Sequence, residues 1–181
     1  METSEKLLRY LLKHKHFSPF EMASVCLSIE TTRDIARQIL RHRSFSFQEF
    51  SQRYAVADLG FEFKETRLQD TKNRQNSLVV DDPELDRWWQ AQQGFVSTHI
   101  DMIYNKAIEL GIAKEQARAI LPEGITTSRL YMQGTLRSWL HYIELRSGPE
   151  TQKEHRLVAQ ACATALESIF PMVSEFVAND Q

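Results

Sequence analysis

The chain has 181 residues, of which 42% are apolar and 25% charged, and its formal net charge is −2. This length and composition are those of one soluble globular domain with enough chain for a sizeable core. The near-neutral charge argues against broad nucleic-acid or polybasic membrane binding, no apolar run approaches the roughly 20 residues of a membrane span, and no signal peptide is visible, so the cytoplasm is the expected compartment.

The first part of the chain is predicted to be a helix, a loop and a strand. Residues 2–14 place four leucines on one helical face, and Pro19 enforces a break after them. His16 and Ser18 lie in the loop that follows this helix. Residues 23–30 alternate apolar and polar side chains with a period of two, which predicts a strand.

A second helix is predicted from Thr31 or Thr32 to Leu40. Arg33, Arg37 and Arg41 recur on it every four residues, and like charges at that spacing cost ~0.2–0.5 kcal/mol per pair. In one interpretation Asp34 and Glu30 relieve part of this repulsion. In the other, Gln38 and Arg41 at the end of the helix face a site where an anion offsets it.

The next stretch, residues 41–54, reads RHRSFSFQEFSQRY and interleaves arginines with phenylalanines. Guanidinium groups present a planar fork of donors that suits phosphate, and aromatic faces suit a ring, so the stretch favours a phosphorylated ligand with a ring system. The alternative is solvated arginines beside core phenylalanines. Ser46 and Glu49 have capping-box spacing, but Glu49, Ser51 and Arg53 would share one face of an extended chain. We expect an irregular loop that leads into a strand at Arg53.

The middle of the chain is predicted to be a polar loop followed by a long helix. Residues 66–77 favour an exposed, solvated loop over a ligand contact. Asp82 and Pro83 open a helix that runs to about Leu110, where Gly111 ends it. An apolar stripe typical of a core or a subunit interface runs along this helix. It comprises Leu85, Trp88, Trp89, Gln92, Phe95, Val96, His99, Ile100, Ile103 and Ala107. We expect His99 to be a hydrogen-bonded packing histidine.

The last third is predicted to alternate helices with one strand. A short helix covers residues 114–121, a strand residues 125–133, a helix capped by Thr135 ends near Ser147, and a final long helix covers residues 150–170. The whole chain, residues 1–181, is therefore expected to be one α+β domain. Its small antiparallel or mixed sheet would pack with several helices, two of them long.

Two sequence stretches together resemble the flavin-dependent thymidylate synthases, the ThyX family. In the first, Arg41-His42-Arg43 is followed after seven residues by Ser51 and then by Gln52-Arg53-Tyr54. The second is RSWLHYIELRSGPETQKEHR, residues 137–156. Arg118, in QARAILP, is similar to the arginine of the family's Arg-x-x-Leu-Pro turn.

The resemblance implies an enzyme that methylates dUMP reductively to dTMP. FAD would be the cofactor, methylenetetrahydrofolate the carbon donor and NADPH the reductant, in a homotetramer with active sites between subunits. The flavin would supply the difficult redox chemistry. This division of labour fits Cys26 and Cys162, which show no metal-ligand pattern, no disulfide framework and no neighbour that generates a thiolate. We expect both to be small packing residues.

The resemblance also implies roles for individual residues. Those expected to hold FAD are His16, Ser18, Arg41, His42, Arg43, Glu49, Thr135, Arg137 and His141. Those expected to hold dUMP are Gln38, Arg41, Glu49, Ser51, Gln52, Arg53, Arg118 and Arg146.

Arg146 and Ser51 are the candidate catalytic residues. A guanidinium at Arg146 against the N3–O4 edge of uracil would favour negative charge there. The alternative for Arg146 is an interaction with the helix dipole, which is worth ~0.3–1 kcal/mol. Ser51 is expected to bond the nucleotide rather than attack it, because the sequence places no general base beside it.

The chain departs from the family pattern in two places. Relatives carry a further strand and an Ala-Arg-x-Ser element before the first helix, which this sequence is expected to lack, and Glu150 stands where several relatives have histidine. Two alternative functions remain. One is a related flavin enzyme that hydroxymethylates the nucleotide or acts on UMP, and the other is a nucleotide- or RNA-binding module without catalysis.

Overall fold

The computed structural model describes residues 2–57 and 60–177. The α-helices within these residues are α1 (Glu2–Lys13), α2 (Arg33–Ile39), α3 (Pro83–Glu109), α4 (Lys114–Ala117), α5 (Leu136–Arg146) and α6 (Lys153–Glu167). The strands are β1 (Ser24–Thr32), β2 (Ser46–Glu49), β3 (Arg67–Gln69), β4 (Ser77–Val79) and β5 (Thr127–Thr135). Short 3-10 helices cover Ser18–Glu21, Arg118–Ile120 and Pro171–Phe176. Within these two ranges, every helix is too short or too polar to span a bilayer.

The chain forms two compact units. Of the described residues, the first comprises 2–29, 38–48 and 131–177, and the second comprises 30–37, 49–57 and 60–130. Three strands form a sheet in the order β1-β5-β2, and β3 pairs with β4 as an antiparallel hairpin with Leu68 opposite Leu78. Small sheets combined with helices make an α+β fold, which confirms the predicted class. The assignment of residues 1–181 to one domain stays a prediction.

The core of the first unit is built around α5. Thr135 caps this helix, as predicted, because its hydroxyl accepts a hydrogen bond from the Ser138 amide at 3.2 Å. The helix packs against α6 and against the 3-10 helices at Ser18–Glu21 and Pro171–Phe176. Trp139 is fully buried, and its indole N–H donates to the Val25 carbonyl at 3.1 Å.

The predicted alternation in β1 is confirmed on its inward face. Ile29 is buried, whereas Val25 and Leu27 are half-buried. Cys26 points the other way and is exposed, so its prediction as a packing residue is wrong. The error arises because one face of β1 is not covered at that end. Cys162 on α6 is buried as expected.

The long helix α3 of the second unit begins and ends where the sequence predicts. The Asp82 carboxylate accepts from the backbone amides of Glu84 and Leu85 at 3.0 Å, and Gly111 takes a positive φ of 80° after the last turn.

The side of α3 that the unit buries is a polar one. The buried residues of the helix are Gln93, Ser97 and Tyr104. Gln93 is held there because its amide donates to the Lys64 carbonyl at 2.9 Å. The apolar stripe faces outward instead. His99 is exposed and rests on the ring of Phe95, with 4.8 Å between ring centroids, so its prediction as a hydrogen-bonded packing residue is wrong.

Two local predictions between residues 44 and 79 are also wrong, the second in part. The expected loop at 44–54 contains strand β2, and the expected strand at Arg53 is a turn. The polar segment 66–77 is largely exposed, as expected, but it is not loop throughout, because it contains strand β3 and the first residue of β4. Both strands are specified by partners rather than by their own composition. The Phe50 amide, for example, donates to the Arg129 carbonyl at 2.8 Å, across almost eighty positions of sequence.

Candidate active site

Three chain segments of the first unit meet around one buried imidazole. The end of α2 supplies Gln38, and the turn after it supplies His42, whose amide donates to the Ile39 carbonyl at 3.0 Å. The last two turns of α5 supply Tyr142 and Arg146. Helix α5 ends there because Gly148 and Pro149 cannot continue it. After this break, α6 begins and brings His155 into the core with 0% exposure.

Arg146 and His42 join the two sequence motifs directly. The Nε of Arg146 donates to Nε2 of His42 at 3.0 Å, so His42 must be uncharged and must carry its proton on Nδ1. Burial and the positive charge of Arg146 lower the pKa of His42, which agrees with that state. No carboxylate of residues 2–57 and 60–177 pairs with Arg146. Its charge therefore remains available to an anionic or polarisable ligand.

His155 makes two hydrogen-bonding contacts inside the unit. Its Nδ1 lies 3.2 Å from the Gln38 side-chain oxygen, and its Nε2 lies 3.2 Å from the hydroxyl of Tyr142. Burial, then the charge of Arg146, lowers the pKa of His155 to about 4, so the imidazole is neutral at neutral pH. Burial raises the pKa of Tyr142, and that hydroxyl stays protonated.

Aromatic rings pack beneath this cluster. His42 stands edge-on to Tyr142 with 5.0 Å between centroids, and Phe45 stands edge-on to Trp139 at 4.9 Å. Phe45 approaches the backbone at Gly134 so closely that a Cβ there would overlap its ring. The lack of a side chain at Gly134 is thus a condition for this packing.

The residues expected to hold the flavin in the first unit lie on α5 and on the turn after α1. Arg137 pairs with Glu21, and the exposed ring of His141 packs on Phe17 with 4.9 Å between centroids. His16 and Ser18 are exposed in the same turn as Phe17. The hydroxyl of Thr135 is engaged by its capping contact, as described above.

These side chains fit a flavin. A guanidinium and imidazoles suit the anionic part of such a cofactor, and the phenyl ring of Phe17 suits its flat ring system. Arg41 and Arg43 are both exposed, and neither pairs with a carboxylate in the described part of the chain. The donor set is cationic and partly aromatic, which is what a dinucleotide with a ring system requires.

The arginines of the α2 repeat do not pair with the two carboxylates that the sequence suggested. Arg33 pairs with Glu49 at 3.2 Å, and Arg37 pairs with Glu123. The expected partners have other contacts, since Asp34 lies 3.7 Å from Lys64 and Glu30 pairs with Arg129. Distant carboxylates thus relieve the first two arginines. Arg41 lacks such a partner among the described residues.

The remaining predicted residues belong to the second unit. The carboxylate of Glu49 also accepts from the Ser128 hydroxyl at 2.9 Å, so two groups hold it. Gln52 is only 4% exposed, whereas Arg53 is exposed and pairs with Glu115 at 3.5 Å. The Ser51 hydroxyl accepts from the Arg53 amide at 3.4 Å, and no base contacts it within the described residues. Arg118 is half-buried and has no carboxylate partner among residues 2–57 and 60–177.

The structure adds Tyr142, Gln152 and His155 to the residues found from sequence. A signal for His155 was present. It shares the helical spacing of Ala159, Cys162 and Leu166, all of which are buried on one face of α6. A histidine on an otherwise apolar face needs a polar partner inside the core. Its partner Gln38 is more than a hundred positions away in sequence, so spacing alone did not identify the pair.

Comparison with known proteins tests the resemblance. The family model described as thymidylate synthase complementing protein matches residues 1–172. A probable flavin-dependent thymidylate synthase of Paramecium bursaria Chlorella virus 1 is 47% identical over 174 residues, which cover 96% of this chain and 80% of the relative. A flavin-dependent thymidylate synthase of Synechocystis is 49% identical over 169 residues, which cover 93% of this chain and 78% of the relative.

A solved structure is similar as well. The UMP/dUMP methylase PolB of Streptomyces cacaoi, bound with 5-Br UMP, superposes with a TM-score of 0.84 at 25% identity, covering 97% of this chain and 82% of that one. Fold, sequence and the joined motifs therefore agree, and this chain belongs to the flavin-dependent thymidylate synthase family.

Proposed function

We propose that this protein converts dUMP to dTMP, with FAD as cofactor, methylenetetrahydrofolate as carbon donor and NADPH as reductant. One observation carries the proposal beyond family membership. The 3.0 Å contact between Arg146 and His42 joins the two motif segments and leaves the guanidinium without a carboxylate partner among the described residues. A cation in this state suits the site of an anionic nucleotide.

Arg146 is assigned the role of polarising the uracil ring. A guanidinium beside the N3–O4 edge stabilises negative charge that develops there, which is the type of electrostatic help that lowers a barrier most. His42 holds the side chain by its Nε and, being neutral, does not oppose the charge. The opposite end of the guanidinium, with its two NH₂ groups, is then free to face the ring.

The flavin would be held by His16, Ser18, Arg137 and His141, with Thr135 at the start of α5 and with Arg41, His42, Arg43 and Glu49 from the first motif. When bound, FAD supplies the hydride chemistry of the methylation. The protein supplies position and charge. Neither cysteine competes for that task, because burial raises the pKa of the Cys162 thiol to about 12 and Cys26 has no activating partner within the described residues.

The nucleotide would be held by groups from both motifs. Those assigned to it are Gln38, Arg41, Glu49, Ser51, Gln52, Arg53, Arg118 and Arg146. The half-buried Arg118 and the exposed Arg53 suit the phosphate. Ser51 acts as a hydrogen-bonding group, because a serine without an adjacent base is a weak nucleophile.

We also assign the protein to a homotetramer with active sites between subunits, in the cytoplasm. The exposed aromatic face of α3 supports the assembly, since Trp88 is 57% and Phe95 is 64% exposed. Two unpaired cysteines fit a reducing compartment. Membership of an enzyme family sets aside the alternative of a non-catalytic nucleotide- or RNA-binding module.

The test is a product analysis with purified protein, FAD, NADPH, methylenetetrahydrofolate and dUMP. We expect flavin absorbance on the protein and dTMP in the product. A parallel reaction with UMP addresses the second candidate, which the similarity to a UMP/dUMP methylase favours. Formation of 5-hydroxymethyl-dUMP would indicate the hydroxymethylase alternative. A protein that takes up no flavin and makes no product from either nucleotide contradicts the proposal.

A further inference from the structure

A directed chain of hydrogen bonds runs through the side chains around His155. It begins at the carboxylate of Glu154, which accepts from the Gln152 amide at 2.9 Å. The oxygen of Gln152 then accepts from the Gln38 amide nitrogen at 2.7 Å. The oxygen of Gln38 faces Nδ1 of His155, and Nε2 of His155 faces the Tyr142 hydroxyl, each at 3.2 Å.

The direction of this chain follows from its first member. A carboxylate only accepts, so Gln152 must turn its NH₂ group to Glu154 and its oxygen to Gln38. Gln38 must then donate from nitrogen, which turns its oxygen to His155. His155 must donate from Nδ1, and Nε2 is left to accept from Tyr142. Each donor and acceptor along the chain is therefore determined, including the tautomer of the imidazole.

This arrangement leaves one donor of Gln38 available. An amide nitrogen carries two hydrogens, of which one is used by Gln152. The second has no acceptor in residues 2–57 and 60–177. Gln38 is half-buried, so a ligand can reach it from solvent. If the amide were turned around, an oxygen would stand where that N–H is, and it would repel an acceptor oxygen of a ligand.

His155 is suited to hold the Gln38 amide in this orientation. It is fully buried, and the imidazole is neutral because burial, Arg146 and His42 all lower its pKa. A neutral imidazole with a hydroxyl donating to Nε2 keeps its proton on Nδ1. The residue does not lie at the surface, so it acts through Gln38 rather than on a ligand.

We propose that His155 is a positioning residue that fixes the Gln38 amide, through an Nδ1–H donor, so that its free N–H meets an acceptor oxygen of the uridine nucleotide. The proposal rests on the proposed function for the identity of the nucleotide. The hydrogen-bond chain itself is independent of that function and is tested separately.

The first test measures the tautomer. In protein loaded with flavin and labelled with ¹⁵N-histidine, we expect NMR to show a proton on Nδ1 and none on Nε2 of His155 at pH 7, with no titration down to about pH 5.5. The Tyr142→Phe variant removes the donor to Nε2, and we expect the proton to stay on Nδ1 there, because the Gln38 oxygen still accepts it. An Nε2–H tautomer in the parent protein, or titration near an ordinary histidine pKa, overturns the proposal.

The second test measures dUMP affinity. The His155→Leu variant loses the Nδ1–H donor. We expect the dissociation constant and KM for dUMP to rise about fivefold to tenfold, which is the range of one lost neutral hydrogen bond. The value of kcat should change much less. His155→Asn keeps an N–H near the position of Nδ1 and should restore affinity to within about twofold of the parent. Leu166→Ala is the matched control, since it loosens the same buried face of α6 at a residue outside the hydrogen-bond chain, and its dUMP affinity should equal that of the parent.

A double-mutant cycle decides whether the effect passes through Gln38. In a Gln38→Ala background, His155→Leu should change dUMP affinity by less than about twofold, because the group it orients is gone. Additive losses, or an unchanged affinity in His155→Leu alone, contradict the positioning role and leave the proposed function intact. Absence of dUMP binding by the parent protein contradicts the proposed function and, with it, the ligand assigned here to Gln38.

Discussion

At the scale of single residues, Arg146 is distinguished from the other arginines by its neighbour. Arg33, Arg37, Arg53 and Arg137 each pair with a carboxylate, whereas Arg146 is held by a neutral imidazole. A ligand that binds an ion-paired arginine must compete with its carboxylate, which at the surface is held only weakly. An arginine that is fixed by a neutral group keeps its full charge for a ligand, and the fixed Nε limits the rotamer freedom lost on binding.

We therefore expect Arg146→Ala to fold and retain flavin but to lose dUMP affinity. Loss of a charge-assisted hydrogen bond that leaves a carbonyl edge unpaired costs about 1.5–3 kcal/mol, roughly 10-fold to 150-fold in the dissociation constant. Titration of the flavin-loaded protein with dUMP measures this dissociation constant. Arg9→Ala is the control, because Arg9 pairs with exposed Glu5 and Glu175. Near-normal dUMP affinity in Arg146→Ala would show that the uracil contact lies elsewhere.

His155 should make the protein sensitive to acid. Its pKa in the folded state is about 4, against the ordinary histidine value of 6.5, so between these values the unfolded chain binds a proton that the folded protein does not. Stability from this residue is complete above pH 6.5 and falls as the pH drops toward 4, by at most about 3 kcal/mol in all and about 2 kcal/mol at pH 5.

Denaturant unfolding of the parent and of His155→Leu at pH 7 and pH 5 measures this dependence. The parent should lose more stability between the two values than the variant does. His42, whose pKa is also lowered, contributes in the same direction in both proteins and cancels in the difference. Equal losses in parent and variant would mean that His155 is charged or exposed in the folded state.

At the scale of elements, Gly134 near the end of β5 sets the position of Phe45. We expect Gly134→Ala to destabilise the protein by about 1–3 kcal/mol, because the added methyl overlaps a buried ring that cannot move away from Trp139 and Tyr142. Gly124→Ala is the matched control, since a Cβ at Gly124 meets nothing within 4 Å. That control should be neutral or slightly stabilising in thermal unfolding. Similar stability of the two variants would show that Phe45 repacks freely.

The elements that sequence predicts well are those that short-range chemistry determines. Asp82 and Thr135 cap helices where expected, because an N-cap bonds to amides two or three residues away. The alternation in β1 is equally local. Strand β2 and the hairpin β3–β4 were missed because strands take their stability from cross-strand partners that spacing does not reveal.

The orientation of α3 shows a second limit. A helix with an apolar stripe is expected to bury it, yet the second unit buries Gln93, Ser97 and Tyr104. Gln93 and Gln90 bond the Lys64 carbonyl, and the Tyr104 hydroxyl accepts from the Ala57 amide at 3.1 Å. These side chains provide hydrogen-bond partners for backbone groups of an irregular segment. The periodicity of the helix sequence does not reveal that these backbone groups need partners.

At the scale of the whole molecule, the candidate site combines what resemblance and structure each provide. The motifs identify Arg41, His42 and Arg146, and the roles given to the site residues stay predictions. The hydrogen-bond partners of Gln38 follow only from the fold, since His155 and Gln152 lie more than a hundred positions further along the chain. Contacts of this kind, between distant elements, depend on the tertiary structure.

The exposed face of α3 is a second feature that concerns the whole molecule. Trp88, Phe95 and Met102 recur every seven residues and are 57%, 64% and 60% exposed. A line of large apolar side chains along a 27-residue helix is the pattern by which helices of separate subunits pack. It lies away from the buried residues of the helix, which explains why both are present on α3.

We expect Phe95→Glu to dissociate the proposed tetramer, because a carboxylate in the centre of an apolar interface would be desolvated without a partner. Sedimentation or light scattering at micromolar concentration should then show monomers or dimers, and turnover should fall by at least about tenfold if sites form between subunits. Asn105→Glu is the matched control: it adds the same charge to an exposed polar position of α3, off the apolar line. A tetramer that persists in Phe95→Glu with full activity would exclude this face from the assembly, and a parent protein that is monomeric and active would contradict the tetramer itself.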